Sequence, residues 1–200
     1  CIIGVVLPLI LRSRRSGGPA PDKVLWSGAI YFSLIGAGFM FVEMGLIQRL
    51  SVFLGHPVYG LGILLFTIIA SAGIGSYVSD RLPLTRSPWI VVYPVGVGLM
   101  ILAMRFLLPF LGSTMASSAT LTKIVVSIAV ITPLGLLMGV CFPTGMRLVR
   151  SSRGSETPWY WALNGMFGVL CSALAVFVSI YVSISTSLYI GLVCYMAILL

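Results

Sequence analysis

The stretch "VYGLGILLFTIIASAGIGSYVS", Val58–Ser79, decides the fold class, because it contains no charged residue over its whole length. A helix of ~20 apolar residues is long enough to cross the ~30 Å hydrocarbon core of a bilayer. Similar runs recur along the chain, which has 200 residues, 59% of them hydrophobic and only 8% charged. The sequence therefore predicts an all-α, polytopic bundle of transmembrane helices.

The overall composition excludes other classes of protein. A soluble domain is typically ~25% charged, whereas this chain has a mean hydropathy of +1.13. A transmembrane barrel predicts alternating segments of about ten residues, and the sequence has none. The net charge is +8, but the basic residues lie between the apolar runs rather than in one stripe with aromatic residues. The predicted partner is therefore the lipid bilayer and not nucleic acid.

Stretches with polar, charged and helix-breaking residues divide the chain into seven apolar segments. These are Cys1–Leu11, Trp26–Ile47, Val58–Ser79, Trp89–Leu111, Leu121–Phe142, Trp159–Ile180 and Thr186–Leu200. The first begins and the last stops within an apolar run, so residues 1–200 are expected to be one transmembrane domain of a longer protein. Gly and Pro residues predict a linker over 12–25, and Pro143 with Gly145 is expected to end the fifth segment.

The basic residues predict the topology. If the segments alternate, one side collects Arg12, Arg14, Arg15, Lys23, Arg81, Arg86, Arg147, Arg150 and Arg153. The other side collects only Arg49 and Lys123, and Arg105 falls within the fourth segment. Because positive charge favours the cytoplasmic side, loops 12–25, 80–88 and 147–158 are expected to be cytoplasmic.

Glu43 is the first candidate site residue, because a carboxylate within a membrane segment is costly unless it is protonated, paired or hydrated. It is a proton- or cation-coupling group, a ligand for a cationic substrate, or a packing residue that hydrogen-bonds another helix. Helical geometry places Gly36, Met40 and Glu43 on one face and Gly45 and Arg49 on another. Glu43 and Arg49 are therefore not expected to pair within one helix.

Gln48, Arg49, His56 and Asn164 complete the candidate substrate-binding or coupling residues. Arg49 is either functional or a basic side chain that reaches the headgroups from a helix end. His56, in the predicted turn before Pro57, is a pH-sensitive group, a partner of Glu43 or simply a polar turn residue. Asn164 is expected to hydrogen-bond the backbone at the Pro143 break or to contact a substrate.

Cysteines and glycines are interpreted as structural. Cys1, Cys141, Cys171 and Cys194 lie in or beside apolar segments without metal-ligand spacing, and a lone histidine does not make a metal site. The sequence therefore predicts neither a metal nor a cofactor. The Gly135-x-x-x-Gly139 spacing predicts close helix packing, and hinges for alternating access are the alternative.

Three stretches resemble a known family. They are "GAGFMFVEMGLIQRLSVFLGHPVYGLGILLFTIIASAGIGSYVSDR", "GVCFPTGMRLV" and "PWYWALNGMFGVLCSALA". Together they are similar to the carboxy-terminal membrane half of bacterial spermidine-synthase-like integral membrane proteins. The resemblance implies major-facilitator-like helices in a bacterial inner membrane. It also implies a soluble methyltransferase-like domain elsewhere in the protein, with aminopropyl transfer as its expected chemistry.

The predicted function follows from the membrane composition and this resemblance. No catalytic residue is identified in the chain, so the primary prediction is a membrane domain that binds or transports a small, polyamine-like cationic molecule. The second is a non-catalytic anchor or interaction module for the transferase-like domain. The third is a membrane-associated aminopropyl- or methyltransferase that this segment only completes.

Overall fold

Six α-helices form the part of the chain that the structure, a computed structural model, describes: residues 22–81, 89–153 and 157–199. They are α1 (Asp22–Leu54), α2 (Pro57–Ser79), α3 (Trp89–Thr114), α4 (Thr120–Arg153), α5 (Thr157–Tyr181) and α6 (Ile184–Ala197). These residues contain no strand. Helices α1 to α5 are each long and apolar enough to cross a membrane, and α6 is a shorter apolar helix. The predicted all-α bundle is confirmed, while the segment Cys1–Leu11 lies outside the described residues.

Helix α1 is longer than its predicted segment. It begins at Asp22, so the last four residues of the predicted linker 12–25 are helical; residues 12–21 lie outside the described part. Its 33 residues extend about 50 Å at ~1.5 Å per residue. An apolar run marks only the part of a helix that lies in hydrocarbon, whereas the hydrogen-bonded backbone continues until a residue stops it.

Helix α4 corrects a second boundary. It runs without interruption through Pro143 to Arg153, so the predicted end at Phe142 is wrong, and so is most of the predicted loop 147–158. Proline is tolerated inside membrane helices because neighbouring groups compensate for the lost backbone hydrogen bond. Next to this proline, the Thr144 hydroxyl donates to the Val140 carbonyl at 2.8 Å.

The turn between α1 and α2 is as predicted. Gly55 has a φ of 74°, a left-handed conformation that glycine adopts without steric cost, so it ends α1. His56 is extended, with φ −145° and ψ 123°, and Pro57 opens α2. Pro at the first helical position loses no intrahelical hydrogen bond. His56 is thus the N-cap residue of α2, although its side chain makes no capping hydrogen bond.

Helix α1 is central, since it contacts each of the other five helices. The core around it includes the fully buried Leu46, Leu50, Leu64, Ile68, Ile131 and Leu134. The outer surface instead carries exposed Phe66, Val169 and Ile180, as expected for helices surrounded by lipid. Because successive helices run in opposite directions, their ends form two groups. We call residues 54–57, 114–120 and 181–184 the His56 end, and residues 79–81, 89–91, 150–153 and 157 the Asp80 end.

Glycines form the close interface between α2 and α4. A methyl group on Gly139 would overlap the backbone of Ala72, and one on Gly75 would overlap the Leu136 carbonyl. Gly135 lies directly against Ser71. The Gly135-x-x-x-Gly139 spacing therefore brings two backbones together, as predicted for small residues at membrane helix interfaces.

A second link between α2 and α4 lies at the Asp80 end. Arg147 Nη1 donates to the Ser79 carbonyl at 2.7 Å and lies 3.2 Å from Asp80 Oδ1. Arg81 and Arg150 are exposed at the same end. The segregation of basic residues that the sequence predicts is therefore present among the described side chains.

Two tyrosines connect α1, α3 and α4. The Tyr31 hydroxyl donates to the Cys141 carbonyl at 2.8 Å and lies 3.0 Å from the Tyr93 hydroxyl. Since Tyr31 has a single hydroxyl proton, Tyr93 is the donor in the second bond. Tyr93 is only 4% exposed, so no water replaces this contact.

We expect Tyr31→Phe to lower the free energy of unfolding by about 0.6–1.7 kcal/mol, the range measured for hydrogen bonds between membrane helices. The variant removes both bonds and leaves the Tyr93 hydroxyl without its acceptor. Unfolding in mixed detergent micelles measures the change, with Tyr181→Phe, at an exposed position, as the control. An unchanged unfolding midpoint for Tyr31→Phe contradicts the prediction.

Candidate functional site

A cavity of about 520 Å³ lies between α1, α2, α4 and α5. Its lining is mostly apolar, and Asn164, Ser76 and Ser172 contribute polar side chains. Small-molecule sites in proteins have this size and this mixture of apolar walls with a few polar groups. We call it the Asn164 cavity; its walls include Gly36, Met40, Gly139, Phe142, Trp161 and Asn164.

Asn164 is held at this cavity by a close contact between α5 and α1. A methyl group on Gly36 would overlap the Asn164 backbone carbonyl, so the absence of a side chain at Gly36 allows the two helices to approach. Asn164 Oδ1 is buried and accepts no hydrogen bond from any described residue. The predicted bond from Asn164 to the backbone near Pro143 is not formed, because α4 does not break there. Its amide is therefore an unsatisfied polar group in the cavity wall.

Glu43 lies one helical turn from the Asn164 cavity. Phe39 and Met40 line the cavity, and residues three and four positions apart share a helix face. The Glu43 side chain is only 4% exposed, and no described residue pairs with it through a hydrogen bond or a salt bridge. A second polar side chain without a partner among the described residues therefore lies on this side of α1.

The two predicted faces of α1 pack against different helices. Gly36 and Met40 lie against α5, at Asn164 and Gly168. Gly38 and Gly45 lie against α6, and Arg49 on that face donates from Nη2 to Ser185 Oγ at 2.8 Å. Arg49 and Glu43 therefore face separate surroundings.

A second cavity, of about 730 Å³, lies near the His56 end. Arg49 and Lys123 line it, together with Phe53, Pro109, Ile184 and Ser185 among others, and none of the described residues that line it is acidic. We call it the Arg49 cavity. Arg49 Nη1 also donates to the Arg105 carbonyl at 3.4 Å, which brings these two arginines together. Both Nε atoms are buried without a partner among the described residues.

Arg105 and Lys123 were not predicted as site residues. The Arg105 guanidinium lies over the rings of Phe106 and Tyr189, 5.6 and 6.0 Å from their centroids. Lys123 donates to the Ala116 carbonyl at 3.1 Å. The sequence does contain a signal that could have identified them. Arg49, Arg105 and Lys123 are the only Lys or Arg residues in the sequence that lie outside the predicted cytoplasmic loops.

Gln48 and His56 stand apart from both cavities. Gln48 is half-buried and lines neither of them. His56 is exposed at the start of α2, where its ring lies 5.3 Å from that of Tyr59. No hydrogen bond joins His56 to Glu43, so that interpretation of the histidine is not supported by its position.

Metal ligands do not cluster in the described ranges 22–81, 89–153 and 157–199. No group of three or more His, Cys, Asp or Glu side chains comes together there. Cys141, Cys171 and Cys194 are free thiols, the first two buried among apolar side chains. Two groups of polar side chains are therefore the candidates for binding a ligand. Glu43 of α1 and Asn164 of α5 lie beside one face of α1, and the cations lie near the His56 end.

Comparisons with known proteins identify no relative of this chain. No protein-family model matches the chain, and no curated protein and no solved structure does either.

Proposed function

We propose that this chain is the membrane domain of a spermidine-synthase-like protein and that it binds a small molecule with an ammonium group in the Asn164 cavity. One observation carries the proposal: Asn164 Oδ1 is a buried acceptor without a donor among the described residues. The Glu43 side chain near it is only 4% exposed and takes part in no hydrogen bond or salt bridge with a described residue. An alkylammonium ion supplies N–H donors and a positive charge, and its carbon chain suits apolar walls. The Asn164 amide can turn toward the cavity because its terminal torsion is broad.

Charge distribution favours an orientation for this domain. Arg81, Arg147 and Arg150 lie at the Asp80 end, and cytoplasmic ends of membrane helices are enriched in such residues. We therefore place the Asp80 end on the cytoplasmic side of a bacterial inner membrane. In that orientation the Asn164 cavity lies nearer the cytoplasm than the Arg49 cavity, where a soluble transferase-like domain of the same protein would release or take up an amine.

Spermidine is the probe that tests the proposal, with the protein in nanodiscs of phosphatidylcholine. We expect spermidine to raise the Tm of the wild-type protein. Glu43→Gln removes the carboxylate charge and Asn164→Ala removes an amide acceptor. Each is expected to weaken spermidine binding by roughly tenfold, since hydrogen bonds between charged groups are the stronger ones. Asp80→Asn is the matched control for Glu43→Gln, because Asp80 is an exposed carboxylate at the Asp80 end.

The outcome also decides between binding and the alternative function. If Glu43→Gln folds and binds spermidine as tightly as the wild type, or if spermidine leaves the wild-type Tm unchanged, the proposal fails. The chain is then a non-catalytic anchor or interaction module, in which the same polar groups only fix helix packing. The dense glycine contacts between α2 and α4 are the observation that favours that alternative.

A further inference from the structure

We propose that the Arg49 cavity is a binding site for a phosphate group. The inference goes beyond amine binding, because it concerns the other face of α1 and a ligand of opposite charge. It stands on the cavity of about 730 Å³, on the two cationic side chains that line it and on the absence of acidic side chains among the described residues of its walls.

The cations in this region have no counter-charge within the described chain. Of the four acidic residues, Asp22 and Asp80 lie at or near the opposite end of the bundle, and Glu43 is on a different face of α1. Glu156 falls outside the described residues. Arg49, Lys123 and the neighbouring Arg105 therefore concentrate positive charge that an external anion can neutralise.

The donors in the cavity wall are incompletely used. Arg49 has five N–H donors, of which Nη1 and Nη2 contact the Arg105 carbonyl and Ser185 Oγ, while Nε is without a partner. Lys123 has three donors, and one contacts the Ala116 carbonyl. A phosphate group, which has several acceptor oxygens, suits a cavity lined by both a guanidinium and an ammonium group.

Helix α6 adds backbone donors to the same cavity. Ile184 and Ser185, which line it, are the first two residues of α6, and the first amides of a helix have no intrahelical acceptor. The N-cap residue Ser183 accepts from the Thr186 amide and leaves these two amides free of a capping side chain. The positive end of the helix dipole therefore points toward the cations, an arrangement that favours a bound anion.

The phosphate has two possible sources at this depth. Arg49 is five residues from the end of α1, and Lys123 is in the first turn of α4, so both lie at a level that lipid headgroups reach. An anionic phospholipid and a soluble phosphomonoester present the same phosphate chemistry. The experiment separates them by supplying each one alone.

Nanodiscs provide both arms of the test with the full chain. In the first arm the protein is placed in phosphatidylcholine nanodiscs and titrated with glycerol 1-phosphate. In the second arm the nanodiscs contain increasing phosphatidylglycerol and no soluble phosphate, and lipid retention is measured by native mass spectrometry after release into neutral detergent. A rise in Tm in the first arm identifies a soluble ligand, and selective retention of phosphatidylglycerol in the second identifies a lipid.

In whichever arm detects binding, Arg49→Gln and Lys123→Gln are each expected to weaken that binding by roughly tenfold. Arg81→Gln is the matched control. Arg81 is exposed at the Asp80 end, where its side chain contacts the Tyr77 side chain. Lys123→Gln also serves if Arg49→Gln fails to fold, because the Lys123 ammonium hydrogen-bonds a backbone carbonyl at an exposed position. The proposal is overturned if neither arm shows binding, or if both variants bind phosphate as the wild type and Arg81→Gln do.

Discussion

Gly139→Ala is expected to lower the free energy of unfolding by about 1–3 kcal/mol, the usual cost of adding a methyl group where no space exists. The added methyl group would overlap three backbone atoms of Ala72 in α2, namely its carbonyl oxygen, its Cα and its carbonyl carbon. Because these are backbone atoms, no side-chain rotation relieves the contact, and the two helices must separate. Gly75→Ala, which meets the Leu136 backbone from the other side of the interface, is expected to cost a similar amount.

Gly73 provides the matched control on the same helix. A methyl group at Gly73 meets no atom within 4 Å, and alanine is a better helix former than glycine by up to ~1 kcal/mol. Gly73→Ala is therefore expected to leave stability unchanged or raise it. The three variants differ from the wild type by the same single methyl group, so a difference between them reports packing alone.

Reversible unfolding with sodium dodecyl sulfate in mixed micelles measures these three variants. The expected order of stability is Gly73→Ala at or above the wild type, with Gly75→Ala and Gly139→Ala clearly below it. Equal stability for all three would mean that α2 and α4 do not approach as closely as described. A loss in Gly73→Ala as well would show that helix flexibility, rather than the interface, governs the glycine effects.

Helix positions in this bundle follow from the sequence, because each apolar run must cover the hydrocarbon thickness. The two faces of α1 also follow from it, since a fixed angle of ~100° per residue separates Gly36 from Gly38. Helix ends do not follow in the same way. Asp22 and Arg153 lie beyond the apolar runs, where hydrogen bonding continues the helix without any signal in hydropathy.

The candidate sites divide in a similar manner. Glu43 and Arg49 are identifiable from sequence because a charge within an apolar run is costly and therefore conspicuous. The neighbours of each charge are not identifiable, because helix pairing brings together residues from distant segments. Asn164 meets Gly36, and Arg49 meets Arg105 and Ser185, and no spacing rule within one helix specifies such contacts.

For locating a candidate binding site, the basic residues that depart from the charge pattern are more informative than those that define it. Nine basic residues define the predicted topology, and they bear only on how the chain is expected to be oriented. The three that do not, Arg49, Arg105 and Lys123, come together near the His56 end. A basic residue on the disfavoured side of a membrane protein is thus a reasonable place to look for an anion site.

Phe32→Ala is expected to reduce stability by about 2–3 kcal/mol, because Phe32 is at the junction of α1, α4 and α5. Its side chain is 0% exposed. Its ring centroid lies 5.3 Å from those of Tyr31 and Phe142 and 5.2 Å from that of Tyr160. Aromatic pairs at such distances contribute ~0.5–1.5 kcal/mol each beyond burial, and one substitution removes all of them.

The expected cost is lower than the 3–5 kcal/mol typical of Phe→Ala in a water-soluble core. Lipid is as apolar as the interior of the bundle, so no transfer from water contributes to helix association. What remains is the cavity left by the ring and the loss of its packing contacts. Phe66→Ala is the control. Phe66 is 72% exposed, so its ring is surrounded by apolar lipid or detergent whether or not the helices are packed together.

Unfolding of Phe32→Ala and Phe66→Ala in the same mixed micelles therefore separates packing from hydrophobicity. A loss confined to Phe32→Ala means that van der Waals contact within the bundle stabilises the junction. Equal losses in both variants would contradict this account, because an exposed ring has no helix partner to lose. The junction also lies one turn from Gly36, at the wall of the Asn164 cavity, so a folded Phe32→Ala protein with weakened spermidine binding would connect the packing of this cluster to the site.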